Sequence, residues 1–272
     1  MRHFKSMVVL NEEVSPGYAR IRLTAPRVIM RAKPGQFVMI RVSEGIDPLL
    51  RRPFGIYDLG SFMPEYPDAP LQDYLEVLYK VVGKGTRILS SLHHGDYLDI
   101  LAPLGTGFTQ GNREEEKILV GGGVGLAPLY FLAKQLVKKS KVKVFIGGRR
   151  KEDILSVTEF ERLGIDTYVA TDDGTLGAMG LVTEVMESNL ANGDAKRSIF
   201  ACGPLPMLKS VAGISERWGV SCQVSLEANM ACGVGACLGC VTKGRNHSEQ
   251  TPDYRCVCKD GPVFDSREIM WE

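Results

Sequence analysis

The chain has 272 residues, with 33 Lys and Arg against 32 Asp and Glu, so its formal net charge is +1. At about 150 residues per domain, this length predicts about two domains with room for a small third. Apolar residues make up 44% of the chain and charged residues 24%, which is an ordinary globular composition and excludes intrinsic disorder. The balanced charge gives no electrostatic basis for a nucleic-acid partner or an acidic membrane surface.

The distribution of cysteines indicates a metal site. No stretch is apolar for the ~20 residues that a membrane span needs, and the N-terminal apolar run is too short for a signal-peptide core. We therefore expect a cytoplasmic protein, in which the seven cysteines would not form disulfides. Five of the seven lie between Cys232 and Cys258, and clustered thiols in a reducing compartment are typical of metal binding.

The first zone, from about residue 6 to 105, contains short β-type runs separated by Gly and Pro turns. Many short strands with such turns predict a sandwich or a small closed barrel. A proline-containing stretch at 61–73 is predicted to be an inserted loop. Strands are predicted at 6–10, 19–24, 36–42, 75–82 and 97–101.

A charged link at 113–117 opens the second zone, in which strand and helix patterns alternate. This alternation predicts parallel β/α units. From about residue 226 the chain has little regular pattern and would need a ligand to order it. Strands are predicted at 117–120, 141–146, 167–170, 198–201 and 222–225, and helices at 128–138, 157–163, 182–188 and 206–218.

The cysteine segment carries the most specific motif. Cys232, Cys237 and Cys240 are separated by four and two residues, the first three spacings of the plant-type [2Fe–2S] ligand pattern. The glycines between them would let a short loop wrap a compact cluster and bring backbone N–H groups close to sulfur. Spacing alone does not choose between Cys256 and Cys258 as the fourth ligand, because both would point to one face of an extended segment. A structural zinc site is the alternative.

Two segments of the first zone are candidates for a flavin site. In Arg52-Pro53-Phe54-Gly55, the arginine would pair with a pyrophosphate while the aromatic ring lies near an isoalloxazine. Lys80 and the Gly83–Thr86 turn would add a phosphate-holding element. Taken alone, the first segment is more typical of a surface turn and the second of a simple hairpin loop.

A glycine-rich loop in the second zone predicts a nicotinamide nucleotide site. A predicted strand runs into Gly121–Pro128 and an apolar helix follows, the context in which a helix N-terminus receives a pyrophosphate. The loop departs from the G-x-G-x-x-G fingerprint, since Leu126 stands at the sixth position and the next strand ends in Arg149-Arg150 rather than an acidic residue. A tight packing turn is the alternative. Cys202-Gly203-Pro204 follows a later strand at the same carboxyl edge.

The order of these motifs resembles the ferredoxin–NADP reductase superfamily. The C-terminal pattern, from Glu227 through the cysteines to Cys258-Lys259-Asp260-Gly261-Pro262, is similar to the electron-transfer subunits of class 1B dihydroorotate dehydrogenase. The resemblance covers nearly the whole chain. It implies an N-terminal FAD-binding β-barrel at 1–108, a doubly wound parallel-sheet NAD-binding α/β domain at 109–225 and a small [2Fe–2S] domain at 226–272.

The resemblance also implies the site residues. The family's fourth ligand directly precedes the x-Asp-Gly-Pro segment, which implies Cys258 and leaves Cys256 as an extra thiol. The family usually has Ser at the position of Gly55, so only a backbone N–H would serve there. The implied cluster ligands are Cys232, Cys237, Cys240 and Cys258. The implied FAD contacts are Arg52, Pro53, Phe54, Gly55, Leu78, Tyr79, Lys80, Gly85 and Thr86. The candidate NAD contacts are Gly122, Gly123, Val124, Gly125, Cys202, Gly203 and Pro204.

The resemblance implies an electron relay. An FMN-containing catalytic partner, in a heterotetramer of two copies of each chain, would oxidise dihydroorotate, and electrons would pass through the cluster and FAD to NAD⁺. No catalytic residue for dihydroorotate is expected in this chain.

Two alternatives remain. One is a subunit of another flavin and iron–sulfur reductase, of the NADH-dependent ferredoxin:NADP⁺ oxidoreductase or sulfide dehydrogenase type. Some of those have Asp at the first ligand position, where this chain has Cys232. Arg149 and Arg150 are nevertheless compatible with NADP(H), because a nucleotide 2′-phosphate attracts cations. The other is a non-enzymatic adaptor with a structural zinc tail.

Overall fold

The computed structural model describes residues 1–64, 70–191 and 195–271. Its first part is a curled antiparallel sheet of seven strands in the order β4-β3-β7-β1-β2-β6-β5. The sheet curls toward closure, because Tyr57, between β4 and β5, donates its N–H to Glu76 O of β6 at 2.9 Å. The strands are β1 (Arg2–Ser15), β2 (Tyr18–Thr24), β3 (Phe37–Arg41), β4 (Arg52–Gly55), β5 (Asp58–Phe62), β6 (Gln72–Lys80) and β7 (Tyr97–Leu104), and helix α1 (Lys84–Ser90) follows β6.

The second part is a sheet in the order β11-β10-β9-β8-β12-β13-β16, which is parallel except for its last strand, β16 (Val263–Asp265). The apolar runs of its central strands are buried throughout, because helices cover both faces of the sheet. Its strands are β8 (Glu116–Gly122), β9 (Val142–Gly148), β10 (Asp166–Thr171), β11 (Ala178–Met179), β12 (Arg197–Cys202) and β13 (Ser221–Ser225), and its helices are α2 (Leu126–Leu136), α3 (Val157–Arg162), α4 (Val182–Leu190) and α5 (Leu205–Arg217).

The C-terminal tail has little regular structure and is joined to both sheets. Its hairpin consists of β14 (Val241–Lys243) and β15 (Tyr254–Cys256), and β16 (Val263–Asp265) adds to the large sheet by antiparallel pairing with β13. Thr106, just after β7, donates its N–H to Gly261 O at 2.6 Å. The tail therefore bridges the end of the first sheet and the edge of the second.

The three hydrophobic cores cross the boundaries between these parts. Phe131 of α2 packs in the core of the first sheet, while Tyr57 and Leu78 of the first sheet pack in the core formed by α2 and α3. Met39 of β3 shares a core with Cys240 and Cys258 of the tail. Shared apolar burial of this kind holds the parts in one orientation.

The structure corrects several sequence-based predictions. The predicted turn at 83–86 is the start of helix α1, the charged link at 113–117 ends inside the buried strand β8, and the tail contains three strands. Strands β4 and β5 had not been predicted. The predicted loop at 61–73 is shortened by β5 and β6, and residues 65–69 of it lie outside the described residues. None of the described helices is long and apolar enough to cross a bilayer.

Candidate redox site

The cysteine loop, defined here as residues 232–240, directs backbone N–H groups at sulfur. The Sγ atom of Cys232 accepts N–H groups from Val234, Ala236 and Cys237 at 3.4, 3.3 and 3.4 Å. These hydrogen bonds, from Val234 first, lower the pKa of the Cys232 thiol to about 6. Gly235 permits the turn with its φ of 78°, which glycine adopts at little cost.

Cys258 is hydrogen-bonded to the cysteine loop, and Cys256 belongs to the hairpin strand beside it. The Sγ atom of Cys258 accepts the N–H of Gly235 at 3.0 Å, and the N–H of Cys258 donates to the Sγ atom of Cys240 at 3.4 Å. Cys256 instead ends β15, opposite Val241. Burial raises the pKa of the Cys258 thiol to about 12 and also raises that of Cys256.

These residues fit an anionic iron–sulfur group. Thiolate ligands are stabilised by N–H donors that tune their charge, and five such contacts reach Cys232, Cys240 and Cys258. Cys240 and Cys258 are buried, whereas Cys237 is exposed. A group held here would have one protein-covered side and one side open to a partner.

The nucleotide loop, residues 121–125, lies beside the Cys202-Gly203-Pro204 segment. Cys202 of β12 is paired with Gly121 of β8, so the two loops leave the sheet at neighbouring positions. A Cβ at Gly125 would lie 2.5 Å from the Cys202 carbonyl carbon and 2.7 Å from Gly203 Cα. The structure thus brings together the predicted NAD contacts, Gly122, Gly123, Val124, Gly125, Cys202, Gly203 and Pro204, at the carboxyl edge of the sheet.

Strand β4 places the guanidinium of Arg52 beside the first turn of helix α1. A Cβ at Gly85 would lie 3.0 Å from Arg52 Nε, so the guanidinium covers the first turn of α1, where helix N–H groups lack intrahelical partners. The Thr86 hydroxyl accepts the N–H groups of Val82 and Gly83 at 2.9 and 3.1 Å and so caps this helix. The rings of Phe54 and Tyr79 are in edge contact at 5.9 Å between centroids.

Lys80 belongs to a hydrogen-bonded group that sequence analysis missed. Its Nζ donates to Tyr18 Oη at 2.8 Å, and Tyr18 Oη donates to Asp153 Oδ1 at 2.5 Å. Although burial alone would raise the pKa of Asp153, the Tyr18 hydrogen bond and the Lys80 charge hold it below its usual value. Tyr18 and Asp153 are 135 residues apart, so no local pattern signals their contact, which joins the two sheets.

Glu227 is a second residue whose place emerges only from the fold. It follows β13 and lies in the short link between the large sheet and the cysteine loop. Neighbouring protein atoms partly desolvate its carboxyl group and raise the pKa, although the residue as a whole is exposed. Burial and then the Glu227 charge raise the pKa of the Cys202 thiol to about 12. A carboxylate therefore stands beside the nucleotide loops at the same sheet edge.

Strands β3 and β4 connect the cysteine loop to the start of α2, next to the nucleotide loop. On one side, Gly233 packs on Met39, since a Cβ at Gly233 would lie 2.6 Å from Met39 Cγ. Met39 is paired with Pro53 of β4. On the other side, a Cβ at Gly55 would lie 3.4 Å from Pro128 Cδ, just beyond the nucleotide loop. The contacts thus run from the cysteine loop through β3 and β4 to Pro128, just beyond the nucleotide loop.

The chain matches two family profiles and many curated proteins. Residues 227–270 match the iron–sulfur cluster binding domain of dihydroorotate dehydrogenase B, and residues 119–213 match the oxidoreductase NAD-binding domain. The chain is 38% identical over 272 residues to the dihydroorotate dehydrogenase B (NAD(+)) electron transfer subunit of Desulforamulus reducens, covering 99% of this chain and 98% of the relative. It is 38% identical to the Bacillus cereus subunit of the same name, covering 99% and 100%.

The chain belongs to the family of dihydroorotate dehydrogenase B electron transfer subunits. Membership and the NAD-binding profile make it an oxidoreductase subunit with an iron–sulfur domain, which confirms the family predicted from the motifs.

Solved structures confirm the ferredoxin reductase-like fold. A structure of NADH-dependent reduced ferredoxin-NADP oxidoreductase, described for flavin-based electron bifurcation, aligns with a TM-score of 0.81 at 29% identity over 98% of this chain and 90% of that chain. A Neisseria gonorrhoeae ferredoxin NADP⁺ reductase with bound FAD and NADP aligns with a TM-score of 0.65 at 16% identity, over 80% and 92%. The second likeness concerns the fold alone.

Proposed function

We propose that this chain is the electron-transfer subunit of an NAD⁺-dependent dihydroorotate dehydrogenase in pyrimidine biosynthesis. A catalytic partner subunit containing FMN would oxidise dihydroorotate, and this chain would carry the electrons to NAD⁺. The observation that supports this best is the series of contacts from the cysteine loop through β3 and β4 to Pro128, beside the nucleotide loop. An electron relay needs its carriers in that order.

FAD suits the middle position because a flavin accepts single electrons from an iron–sulfur cluster and returns them in pairs as hydride to NAD⁺. This chain's own residues would bind and orient each group. Arg52 and the first turn of α1 would hold the FAD pyrophosphate by charge and N–H donors. Cys232, Cys237, Cys240 and Cys258 would hold the [2Fe–2S] cluster, and residues 122–125 with 202–204 would hold NAD. The FAD-binding, NAD-binding and [2Fe–2S] domains would span residues 1–108, 109–225 and 226–272.

Gly55 supplies only its backbone N–H at the position where family members usually have Ser. The neighbouring Pro128 ring lies at ordinary contact distance from a Cβ placed there, so the site has room for a serine side chain. We expect FAD to bind without the hydroxyl and with a somewhat altered potential.

The exposed side of the cysteine loop would receive the catalytic subunit. Cys237 is exposed there, and the neighbouring apolar side chains of Val234, Leu238 and Val241 are 40%, 64% and 44% exposed. Exposed apolar residues around a reactive centre are typical of a protein interface. A complex of two copies of each chain is part of the proposal.

A second candidate is a subunit of an NADH-dependent ferredoxin:NADP⁺ oxidoreductase. The likeness to the structure of that enzyme supports it, as do the exposed Arg149 and Arg150 beyond the end of β9, since a nucleotide 2′-phosphate attracts arginine.

The test is to co-express the chain with candidate catalytic subunits, purify the complex without oxygen and measure dihydroorotate-dependent reduction of NAD⁺. We expect a coloured complex with FAD, iron and sulfide in this chain, and activity with NAD⁺ above that with NADP⁺. Absence of activity with every dihydroorotate dehydrogenase catalytic subunit, in protein that retains both cofactors, would favour the second candidate. A colourless, zinc-loaded protein would contradict both.

A further inference from the structure

Three buried thiols of the tail form a compact group that differs from the proposed cluster ligands. The Sγ atoms of Cys240, Cys256 and Cys258 all lie within 4.8 Å of one another, and these residues are 3%, 6% and 2% exposed. Cys232 and Cys237 do not belong to this group among the described residues. Cys256 has no part in the proposed cluster, so its place beside two ligands calls for an explanation.

Backbone hydrogen bonds of the tail hold Cys256 in place. Its carbonyl oxygen accepts the N–H groups of Lys259 and Asp260 at 3.0 and 2.7 Å, and its own N–H donates to Asp260 Oδ2 at 2.7 Å. Val257 donates its N–H to Cys240 O at 3.0 Å, which ties this turn to the end of the cysteine loop. The three thiols are thus brought together by the chain itself, and a site whose ligands are fixed in advance loses less entropy on binding.

The spacing suits one metal ion better than a two-iron cluster. Zinc binds thiolates at about 2.3 Å in tetrahedral geometry, which places the sulfur atoms about 3.8 Å apart. Thiols already within 4.8 Å reach that separation through small side-chain rotations. A two-iron cluster instead distributes its ligands over two metal centres and requires thiols from both ends of the cysteine loop.

We propose that Cys240, Cys256 and Cys258 form a second metal site, which binds a single thiophilic cation of the Zn²⁺ class when the cluster is absent. Each thiol gives its proton to the solvent as its sulfur binds the ion, and water completes the coordination. Because the site shares Cys240 and Cys258 with the proposed cluster, the two occupants exclude each other. This last point rests on the proposed cluster ligands, whereas the three-thiol site does not.

The test uses the full-length chain, stripped of its cluster under reducing, oxygen-free conditions and titrated with Zn²⁺ against a chromophoric chelator. Cys256→Ser should weaken Zn²⁺ binding by about 100-fold or more, since even the loss of a residue that only supports a ligand costs about 10–100-fold. The same variant should rebuild its cluster to the wild-type iron and sulfide content, read from visible absorption and metal analysis.

Cys237→Ser is the matched control. It removes a proposed cluster ligand that is exposed and lies outside the three-thiol group, so it should lose the cluster and bind Zn²⁺ within about threefold of the wild type. Far-ultraviolet circular dichroism and retained FAD report folding of each variant.

Equal Zn²⁺ affinity of Cys256→Ser and the wild type would overturn the proposal, as would loss of the cluster in Cys256→Ser. Retention of the cluster in Cys237→Ser would instead overturn the cluster assignment, so the two failures are distinguishable. In the wild type, Zn²⁺ added first should also block cluster reconstitution, and in Cys256→Ser it should not.

Discussion

The nucleotide loop and the cysteine loop are both rich in glycine, for different physical reasons. Gly125 has an ordinary φ of −60° but faces the Cys202 carbonyl and Gly203 so closely that no Cβ fits. Gly235 has a φ of 78°, which side chains rarely adopt, and a Cβ there would meet the side chain of Lys259 rather than backbone. Glycine makes room between two loops in the first case and turns the chain around sulfur in the second.

The consequence is a difference in what stabilises each loop. The nucleotide loop is held by its close packing against Cys202 and Gly203 of the neighbouring loop. This packing does not require a ligand. The cysteine loop is fixed by N–H groups that donate to its own sulfur atoms, and such contacts strengthen when sulfur carries more negative charge. We therefore expect the nucleotide loop to be preformed and residues 232–237 of the cysteine loop to depend on their ligand.

Removal of a ligand tests this dependence most strongly. We expect Cys258→Ser to lose the [2Fe–2S] cluster, because the thiol that accepts the Gly235 N–H is removed, and Cys256→Ser to keep it. Visible absorption and iron content of protein purified without oxygen measure both. The reverse result would assign Cys256 as the fourth ligand.

A methyl group in the nucleotide loop tests its packing. Gly125→Ala should lower the free energy of unfolding by about 1–3 kcal/mol because the neighbouring backbone must shift. It should also weaken NAD⁺ binding by about tenfold, or about 1.4 kcal/mol, with the cluster content unchanged. Denaturation and calorimetric titration give these values.

Gly213→Ala is the control for this change. Gly213 lies within α5, and a Cβ there would meet only the tip of Arg217 at 3.8 Å, so alanine should stabilise the protein by about 0.5–1 kcal/mol. Equal destabilisation by the two substitutions would show that the close approach at Gly125 has no special role.

Between the two loops, Gly55→Ser restores the hydroxyl that the family usually has. A Cβ at this position makes only ordinary contact with Pro128, so we expect FAD affinity within about twofold of the wild type, or about 0.4 kcal/mol. The flavin reduction potential should change measurably in a spectroelectrochemical titration. An unchanged potential would show that the backbone N–H suffices.

The smallest expected effect concerns Glu227, which links the loops. Partial desolvation raises its carboxyl pKa although the residue is exposed, so the charged form slightly disfavours folding and this small cost grows as pH rises through the raised value. Glu227→Gln should therefore stabilise the protein at pH 7, by no more than about 0.5 kcal/mol. The gain should vanish at and below about pH 4, where the unfolded carboxyl is protonated. A gain that persists at pH 4 would contradict the role assigned to desolvation.

Sequence patterns predicted the parallel β/α part and missed pieces of the first sheet. Buried parallel strands are continuous apolar runs, such as the one that ends at Gly122, and these are easily seen. Strand β4 contains Pro53 and Gly55, which disfavour a strand by local propensity, and it forms because β3 pairs with it. Gly83 and Gly85 indicated a turn, yet the chain continues into α1.

The site was predictable in its motifs and not in its arrangement. The spacing of Cys232, Cys237 and Cys240 is local information, and so is the glycine run before α2. The position of Met39 against Gly233, and the hydrogen bond between Tyr18 and Asp153, join segments that are distant in sequence. Such contacts depend on the complete fold, so no local sequence motif predicts them.

The antiparallel addition of β16 to β13 has a consequence for any shortened form of the chain. Gln223, Val224 and Ser225 are paired with residues 263–265, so removal of the tail would uncover three residues of the β13 edge on the large sheet. Unprotected edges pair readily with other chains. A chain truncated before residue 226 should accordingly self-associate. Strand β16 therefore protects the sheet edge and also anchors the segment that carries the cysteines.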